Sequence, residues 1–328
     1  MVENEYRLRL AVWGLGPHAL KNVLPAIAAS GAVELVGVCS RDEMSRQRAC
    51  TEYSCMAWPD AVAMLADARV NAVYLATPIG IHFEQGMSVL RAGRHLICEK
   101  SLTDSHAKSI GLLAEARQRG LLLCEALMYR FHPRIQSVFD LARREEFGAI
   151  VSVSCSFFLP RLDRPGYRFT ASLGGGCFWD VACYPISFLL GLVKGNLIVE
   201  QATFDRTPGV EVHTGGMTLV GWGARGHACL NWGYGVAYRN EATIIGENKS
   251  MLIEQVFTKG GPRCTEIALR DNHGKEEKLS YPVEDSFVGM LACAKNALRD
   301  DQLKRTMWDD VEHQANLMEQ IRAFAIRD

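Results

Sequence analysis

The sequence lacks a charge excess of either sign and has no long apolar run. Its 328 residues include 36 lysines and arginines against 37 aspartates and glutamates, so the formal net charge is −1 at pH 7. Binding to nucleic acid or to an anionic membrane usually needs a basic surplus, so we expect neither partner. The N-terminus turns apolar only for a short run that glycine interrupts, which predicts neither a signal peptide nor a spanning helix. A cytoplasmic protein is expected.

Paired metal-binding and redox motifs are also missing. The eleven cysteines form no CxxC pair and lie mostly inside apolar runs, as in GVCS, LICEK and LLCEA. Scattered cysteines of this kind are typical of reduced, buried thiols rather than of a disulfide framework. The nine histidines form no HExxH or similar ligand spacing. The sequence therefore predicts no metal site.

The length and the order of the apolar runs predict two α/β domains. The chain is too long for one ordinary core, and its 48% hydrophobic and 22% charged residues are typical of a globular protein. Up to residue 125, helical stretches alternate with the strand-like runs LRLAVWG, VELVGVCS, VNAVYLAT, RHLICE and GLLLCEA. This alternation predicts a doubly wound parallel sheet with helices on both faces.

The pattern changes after about residue 126. The helical stretch RIQSVFDLARREE is followed by eight strand-like runs, from AIVSVSCSFFL at 149–159 to EEKLSYP at 276–282. Short runs bounded by turns predict a large open, mostly antiparallel sheet. Two helical segments, near 285–299 and 308–326, close the chain. We therefore expect a first domain over 1–125 and a second α/β domain over 126–328.

A glycine-rich fingerprint follows the first strand. GLGPHA, residues 14–19, matches GxGxxG/A between a strand and a helix. In that context Gly14 permits a tight turn, Gly16 lets the backbone meet a pyrophosphate, and the small residue at 19 allows close packing of helix on sheet. Dinucleotide binding through Gly14, Gly16, Pro17 and His18 is expected. The alternative is a plain strand-to-helix turn.

The end of the second strand indicates which dinucleotide is bound. An NAD enzyme usually has an acid there, whereas this chain has CSRD, residues 39–42. Ser40 leaves room for a 2′-phosphate, and the planar guanidinium of Arg41 is suited to pair with it. NADP is therefore expected rather than NAD. Asp42 is the opposing feature, because a shift of register would turn its carboxylate toward the ribose.

Two further strands end in polar residues at the same edge of the predicted sheet. TPIGIH at 77–82 follows the third strand, and CEKSL at 98–102 follows the fourth. Doubly wound folds bind ligands at the carboxyl ends of their strands, so Thr77, Pro78 and His82 are expected to contact the cofactor. Lys100 is suited to hold a substrate hydroxyl or carbonyl. The alternative for Lys100 is a solvated loop lysine.

The stretch GGGCFWDVACYP at 174–185 puts three glycines ahead of Asp180 and Tyr184. Glycine triplets cost backbone entropy, so they mark a tight turn or a place where a ligand approaches the main chain. Both interpretations remain open from the sequence.

Together these motifs resemble the glucose-fructose oxidoreductase/inositol dehydrogenase (Gfo/Idh/MocA) family. The resemblance runs along nearly the whole chain, through the fingerprint, ATP at 76–78, EK at 99–100, GGGCFWDVACY and RNEATIIGENKSMLIE. The family has a Rossmann domain and an α/β domain with a large open sheet, and it transfers hydride between NAD(P) and sugars or related alcohols. The resemblance implies nicotinamide-site roles for Glu99 and Lys100 and a substrate-side role for Asp180.

Tyr184 stands where many family members have histidine, and the tyrosine version resembles dihydrodiol dehydrogenase and nucleotide-ketosugar reductases. A phenol beside Lys100 is suited to act as a general acid, with the ammonium stabilising the phenolate. Lys100, Tyr184 and Asp180 are thus the predicted catalytic residues. The chain departs from the family pattern at Ser101, where a proline is usual, and at Ile79, where an asparagine is common.

The predicted substrate side is rich in arginine and tyrosine, which grip hydroxyls and phosphates. Besides Asp180 and Tyr184, its candidates are Arg161, Arg164, Tyr167, Arg168 and Tyr234; the alternative is ordinary surface residues. The leading hypothesis is NADP-dependent reduction of a keto-sugar, in particular a nucleotide-linked one. The alternatives are a dihydrodiol or aldose dehydrogenase on free substrate, and a non-catalytic NADP-binding sensor or scaffold. As in the family, a homodimer or homotetramer formed through the C-terminal sheet is expected.

Overall fold

The computed structural model describes residues 7–162, 166–257 and 266–325. These residues divide into two compact units. The first lies within Met1–Met128 and Phe287–Glu312, and the second lies within Tyr129–Ser286 and His313–Asp328.

The first unit is built on a six-stranded sheet in which every neighbouring pair is parallel. Its order is β3-β2-β1-β4-β5-β6, with β1 Leu8–Trp13, β2 Val33–Cys39, β3 Met56–Trp58, β4 Ala72–Leu75, β5 His95–Cys98 and β6 Leu123–Glu125. The central strands are almost wholly buried, as expected for a sheet covered on both faces. The parallel sheet is confirmed. The sequence pattern missed β3, which has three residues, two of them exposed.

Helices connect these strands and cover the sheet. They are α1 Leu24–Ser30, α2 Glu43–Tyr53, α3 Ala61–Ala66, α4 His82–Arg91 and α5 His106–Arg119. A π-helical turn, Ala19–Val23, leads into α1. Pro25 in the first turn of α1 cannot donate a hydrogen bond and would crowd the carbonyl four residues earlier in a regular α-helix, so a widened turn before it is accommodated.

The structure divides the chain differently from the predicted domains. The segment 287–312 belongs to the first unit rather than to the second. It contains all of α8, Ser286–Asn296, except its first residue, and the first half of α9, Asp301–Ala325. Trp308 packs against the core of the first unit, which includes Val311, and the Trp308 indole donates to the carbonyl of Leu121 at 3.2 Å. The helical pattern predicts an apolar face but not the surface that the face covers. Ile326, the predicted end of this helix, lies outside the described residues.

The second unit is built on an eight-stranded open sheet of order β14-β13-β12-β11-β7-β10-β9-β8. Its strands are β7 Ile150–Leu159, β8 Ile198–Asp205, β9 Gly215–Trp222, β10 Gly226–Tyr234, β11 Arg239–Gly246, β12 Lys249–Glu254, β13 Glu266–Asp271 and β14 Glu276–Ser280. The pair β7–β10 is parallel and the other neighbouring pairs are antiparallel. The mostly antiparallel sheet is confirmed.

Two helices, α6 Pro133–Ala142 and α7 Cys183–Leu192, pack on this sheet. The segment Ala171–Leu192 is long and apolar enough to cross a membrane by length and composition, but 72% of its apolar window is buried inside the protein. Burial of that extent is what the core helix of a globular domain shows. The segment therefore supplies core to the second unit.

Candidate active site

The two glycines of the fingerprint turn have different surroundings. Gly14 has φ +104°, a Cβ there would lie 2.7 Å from the Ala76 carbonyl oxygen, and its N–H donates to the Cys39 carbonyl at 2.9 Å. At Gly16, by contrast, nothing lies within 4 Å of an added Cβ. The first glycine is thus demanded by the protein's own packing, whereas the second leaves open space beside a helix start. That open space fits the close approach of a pyrophosphate.

The segment after β2 carries two guanidinium groups and a carboxylate that is already engaged. Asp42 caps α2 by accepting the Ser45 N–H at 3.2 Å, and hydrogen bonds from Ser45 lower its pKa. Its carboxylate is therefore held by its own helix. Arg46, which the motif did not single out, donates to the carbonyl of Ser40. With Arg41 exposed at the same corner, the described residues fit a 2′-phosphate.

The loops after β4 and β5 are tied together by a buried histidine. His82 is 0% exposed; its Nε2 lies 2.8 Å from the Thr77 carbonyl, and its Nδ1 lies 3.1 Å from the carbonyls of both Ser101 and Leu102. Burial lowers the pKa of His82. Pro78 precedes a 3₁₀ turn over Ile79–Ile81. His82 thus holds together two of the loops that were predicted to form the cofactor site.

The two departures from the family pattern have clear places in the structure. Ile79 is 2% exposed and belongs to the core of the first unit rather than to a polar surface. The peptide bond between Lys100 and Ser101 is cis, although residue 101 is not a proline.

Glu99 is the centre of a hydrogen-bonded group at the end of β5. It is 8% exposed, and its Oε1 accepts from the Tyr74 hydroxyl at 2.7 Å and pairs with His18 Nε2 at 2.9 Å. Tyr74 was not predicted as a site residue, because it lies inside the apolar run AVYL. A tyrosine in the middle of an otherwise aliphatic buried strand is the signal that points to it, since a buried hydroxyl needs a partner.

In the second unit, the glycine triplet forms a tight turn against the chain that precedes it. Gly174 and Gly176 have φ of +74° and +109°. A Cβ on Gly175 would lie 2.7 Å from the carbonyl oxygens of both Tyr167 and Thr170. All three glycines are therefore required by backbone conformation or by contact with the protein's own backbone, which favours the turn over the ligand approach.

This turn brings three of the predicted substrate residues together. Arg168 Nε lies 2.7 Å from Asp180 Oδ2, and the Tyr234 hydroxyl donates to the same oxygen at 2.7 Å. Asp180 is 3% exposed. Burial and the charge of Asp180 raise the pKa of Tyr234, so its phenol stays protonated as a donor. The Arg168 guanidinium also lies 5.1 Å from the centre of the Tyr167 ring.

Tyr184 lies in the first turn of α7 and is held by other aromatic rings. Its ring centre is 5.3 Å from that of Phe157 in an edge-on arrangement, 5.7 Å from Phe257 and 5.8 Å from Tyr129. These contacts restrict the phenol to one orientation. A π-helical turn, Phe178–Ala182, carries Asp180 just before α7.

The remaining predictions are not brought into this cluster. Arg161 is exposed, and among the described residues no contact joins it to Arg168, Asp180 or Tyr234. Arg164 lies outside the described residues. The sequence also missed Phe157 in β7, Phe257 after β12 and Tyr129 in the 3₁₀ turn Met128–Phe131, because aromatic residues in apolar stretches usually indicate core.

Family models match both units in order. The oxidoreductase family with an NAD-binding Rossmann fold, GFO_IDH_MocA, matches residues 8–126, and the GFO/IDH/MocA C-terminal domain matches residues 135–252. The chain belongs to the Gfo/Idh/MocA oxidoreductase family. The family resemblance is thereby confirmed.

Several relatives of this Gfo/Idh/MocA chain act on sugars. It is 30% identical, over 89% of its length and 85% of the relative's, to dTDP-3,4-didehydro-2,6-dideoxy-alpha-D-glucose 3-reductase of Streptomyces violaceoruber. It is 31% identical, over 66% of its length and 67% of the relative's, to a D-xylose 1-dehydrogenase (NADP(+)) of Haloferax volcanii. A 3-ketoreductase from Actinomadura kijaniata, solved with NADP and TDP-benzene, superposes with a TM-score of 0.90 at 27% identity, covering 97% of this chain and 98% of the other.

Proposed function

We propose that this protein is an NADP-dependent oxidoreductase that reduces the carbonyl group of a nucleotide-linked keto-sugar. The support is its similarity, over 97% of the chain, to a 3-ketoreductase solved with NADP and TDP-benzene. Two features of the second unit support the proposal further. Aromatic rings hold Tyr184, the proposed proton donor, and the Arg168–Asp180–Tyr234 cluster is proposed to orient the substrate.

NADPH, when bound, supplies the hydride. The residues that would hold it are Gly14, Gly16, Pro17 and His18 at the pyrophosphate and Ser40, Arg41 and Arg46 at the 2′-phosphate. Thr77, Pro78 and the Glu99–Lys100 segment complete the set at the carboxyl edge of the sheet. The preference for NADP rests on two guanidinium groups at a corner whose carboxylate, Asp42, already caps a helix.

Tyr184 is the proposed proton donor. A phenol has an ordinary pKa of about 10, so it is protonated at neutral pH and is able to give its proton to a carbonyl oxygen that gains negative charge. The surrounding rings fix its direction. Lys100 is proposed to supply the positive charge that favours the phenolate left behind.

The Arg168–Asp180–Tyr234 cluster is proposed to orient the substrate. Asp180 is buried and accepts two hydrogen bonds on one oxygen, so its charge is compensated and its position is fixed. The Arg168 guanidinium donates through Nε to Asp180 and is partly exposed, with 34% of the Arg168 side chain accessible. An arginine oriented in this way is suited to pair with a phosphate or sugar hydroxyl.

Steady-state kinetics with single and double variants test this proposal. Tyr184→Phe and Lys100→Ala are each expected to lower kcat for a dTDP-linked keto-sugar by about 10²- to 10⁴-fold, the usual contribution of general acid catalysis. If both act on one proton, the double variant loses little more than the worse single variant. NADPH affinity should stay within about threefold, because neither change removes a phosphate contact.

The controls and competing functions are part of the same experiment. Tyr53→Phe and Lys108→Ala change the same residue types elsewhere in the first unit and should leave kcat unaltered. Higher kcat/KM with NADPH than with NADH is expected. Full activity in both Tyr184→Phe and Lys100→Ala would refute the assigned roles.

A second candidate function is oxidation of a free aldose or diol. The similarity to an NADP-linked D-xylose 1-dehydrogenase favours it. Oxidation of D-xylose or a dihydrodiol with NADP⁺, with no turnover of dTDP-linked keto-sugars, would establish that function. Binding of NADPH with no turnover of any carbonyl or alcohol in the panel would instead indicate a sensor or scaffold.

We also propose a cytoplasmic homodimer or homotetramer formed through the open sheet of the second unit. The ten described cysteines are free thiols, and all ten are buried or partly buried, which suits a reducing compartment. Apolar side chains on the sheet, Ile198, Ile245 and Leu252, are 57%, 45% and 46% exposed.

A further inference from the structure

His18, at the start of the fingerprint helix, is bonded to the residue that immediately precedes Lys100. Its Nε2 lies 2.9 Å from Glu99 Oε1, although 81 residues separate the two in the chain. Nothing in the fingerprint motif requires a histidine at this position, because the motif needs only glycines and a small residue. Dinucleotide binding alone therefore does not explain the contact between His18 and Glu99.

The ring of His18 is held so that its proton faces Glu99. The Asn22 amide nitrogen lies 3.0 Å from His18 Nδ1. An amide NH₂ donates, so Nδ1 accepts and the neutral ring carries its proton on Nε2. Asn22 belongs to the π-helical turn Ala19–Val23, and the Phe287 ring lies 5.7 Å from the imidazole on another side.

Glu99 is a buried carboxylate with donors on both oxygens. Its Oε1 accepts from His18 and Tyr74, and its Oε2 lies 3.3 Å from the backbone N–H of Lys100. Burial by itself would raise the pKa of Glu99. The interaction with His18, the hydrogen bond from Tyr74 and the charge of Lys100 outweigh burial, so the pKa of Glu99 lies below its ordinary value.

Three other titratable groups near Glu99 are uncharged near neutral pH, while a fourth, the carboxyl group of Glu125 on β6, accepts the Leu102 N–H at 2.9 Å. Burial raises the pKa of Tyr74 and of Cys98, which keeps both protonated. Burial lowers the pKa of His82, which keeps that ring neutral. The groups that favour ionisation of Glu99 are its two side-chain donors, His18 and Tyr74, and the charge of Lys100.

We infer that His18 is a positioning residue: it keeps Glu99 ionised and thereby holds the Lys100 segment and its ammonium charge in place. The inference rests on the role proposed above for Lys100. Without His18, Glu99 loses one of the two side-chain donors that oppose its burial. A protonated Glu99 no longer attracts the ammonium of Lys100, and its remaining oxygen is a weaker acceptor for the Lys100 N–H.

Carbon-13 NMR of the free protein measures the first consequence without any substrate. Glutamate labelled at the carboxyl carbon gives one resonance that disappears in Glu99→Gln, and its titration yields the pKa of Glu99. In His18→Ala that pKa should rise by about 1 to 2 units, the equivalent of one hydrogen bond to a charged group. His18→Gln, whose amide still donates, should restore most of the shift.

The pH dependence of kcat measures the second consequence. In His18→Ala, kcat at about pH 5.5 should fall several-fold relative to its value near pH 8, while the wild-type ratio stays within about twofold. A fold defect alone would lower activity at every pH and would not be rescued by His18→Gln.

The outcomes separate this inference from the proposed function. If no keto-sugar is turned over but the Glu99 pKa rises in His18→Ala, the proposed function fails and the electrostatic role of His18 stands. A Glu99 pKa within about 0.3 unit of wild type in His18→Ala overturns the inference, whatever the activity. Should His18→Ala not fold, Asn22→Ala is the alternative variant, because it removes the group that orients the His18 ring. It must also raise the pKa of Glu99.

Discussion

At the scale of single residues, one motif contains glycines that serve different needs. GxGxxG-type patterns mark where a chain turns toward a pyrophosphate, but they do not tell which glycine the protein itself requires. In the structure, Gly14 is required by its positive φ and by the Ala76 carbonyl, whereas Gly16 borders open space. The protein's own packing therefore does not require a glycine at position 16, which agrees with the proposed pyrophosphate contact.

Alanine substitutions at these two positions should affect different properties, protein stability at Gly14 and NADPH affinity at Gly16. Gly14→Ala is expected to destabilise the protein by about 1 to 3 kcal/mol, since its Cβ meets a carbonyl and its φ disfavours L-residues. Gly16→Ala should change stability by less than about 0.5 kcal/mol but should weaken NADPH binding, because the Cβ fills the space left for the pyrophosphate. Thermal melts and a fluorescence titration with NADPH check both; equal NADPH affinity in wild type and Gly16→Ala would contradict the prediction.

At the scale of elements, two helices widen into a π turn shortly before a proline. Ala19–Val23 precedes Pro25, and Phe178–Ala182 precedes Pro185. In both, the ring would clash with a carbonyl four residues back in a regular helix. These turns carry His18's partner Asn22 and the buried Asp180, so each proline follows a turn that places one of these two side chains. Both prolines are visible in the sequence, but the helical pattern of these segments did not predict the π turns before them.

Strands β5 and β6 are joined by a side chain as well as by their backbones. The Leu122 N–H donates to His95 Nδ1 at 3.0 Å, next to the backbone bond from Leu96 to the Leu122 carbonyl. Burial, with a smaller effect of the charge on Lys304, lowers the pKa of His95 from 6.5 to about 4. The neutral imidazole is therefore the form that stabilises the folded protein.

This histidine predicts a specific acid sensitivity. The folded protein disfavours protonation of His95, so its contribution is complete above about pH 6.5 and is lost as the pH falls toward 4. The loss amounts to about 3 kcal/mol at most. His95→Asn keeps an acceptor for Leu122 and cannot titrate, so its denaturant stability should depend less on pH in this window. Parallel pH profiles for wild type and His95→Asn would disprove this.

At the scale of the whole molecule, one face of the open sheet of the second unit carries exposed apolar residues. Ile245 and Leu252 are diagonal neighbours on β11 and β12, while Ile244, Met251 and Ile253 on the opposite side are buried. Exposed apolar side chains clustered on a sheet are what an interface between copies would cover. The proposed oligomer therefore has a definite surface on this unit.

Charges on that face should dissociate the oligomer. Light scattering is expected to show a dimer or tetramer for the wild type and a monomer for the Ile245→Glu/Leu252→Glu variant, because each glutamate would lose its hydration in the interface. Val62→Glu, at an apolar residue of the first unit that is 81% exposed, is the matched control and should keep the wild-type mass. A monomeric wild type would rule the interface out.

The sequence by itself determined the two sheets, all but one of their strands, and the fingerprint, because hydrophobic periodicity and glycine-rich turns act over a few residues. Tertiary structure alone decided that Asp180 is held by Arg168 and Tyr234, 12 and 54 residues away. It also decided that His18 meets Glu99, and that the segment 287–312 packs on the first unit. Such pairings depend on which surfaces the packed elements bring together, and no local pattern specifies them.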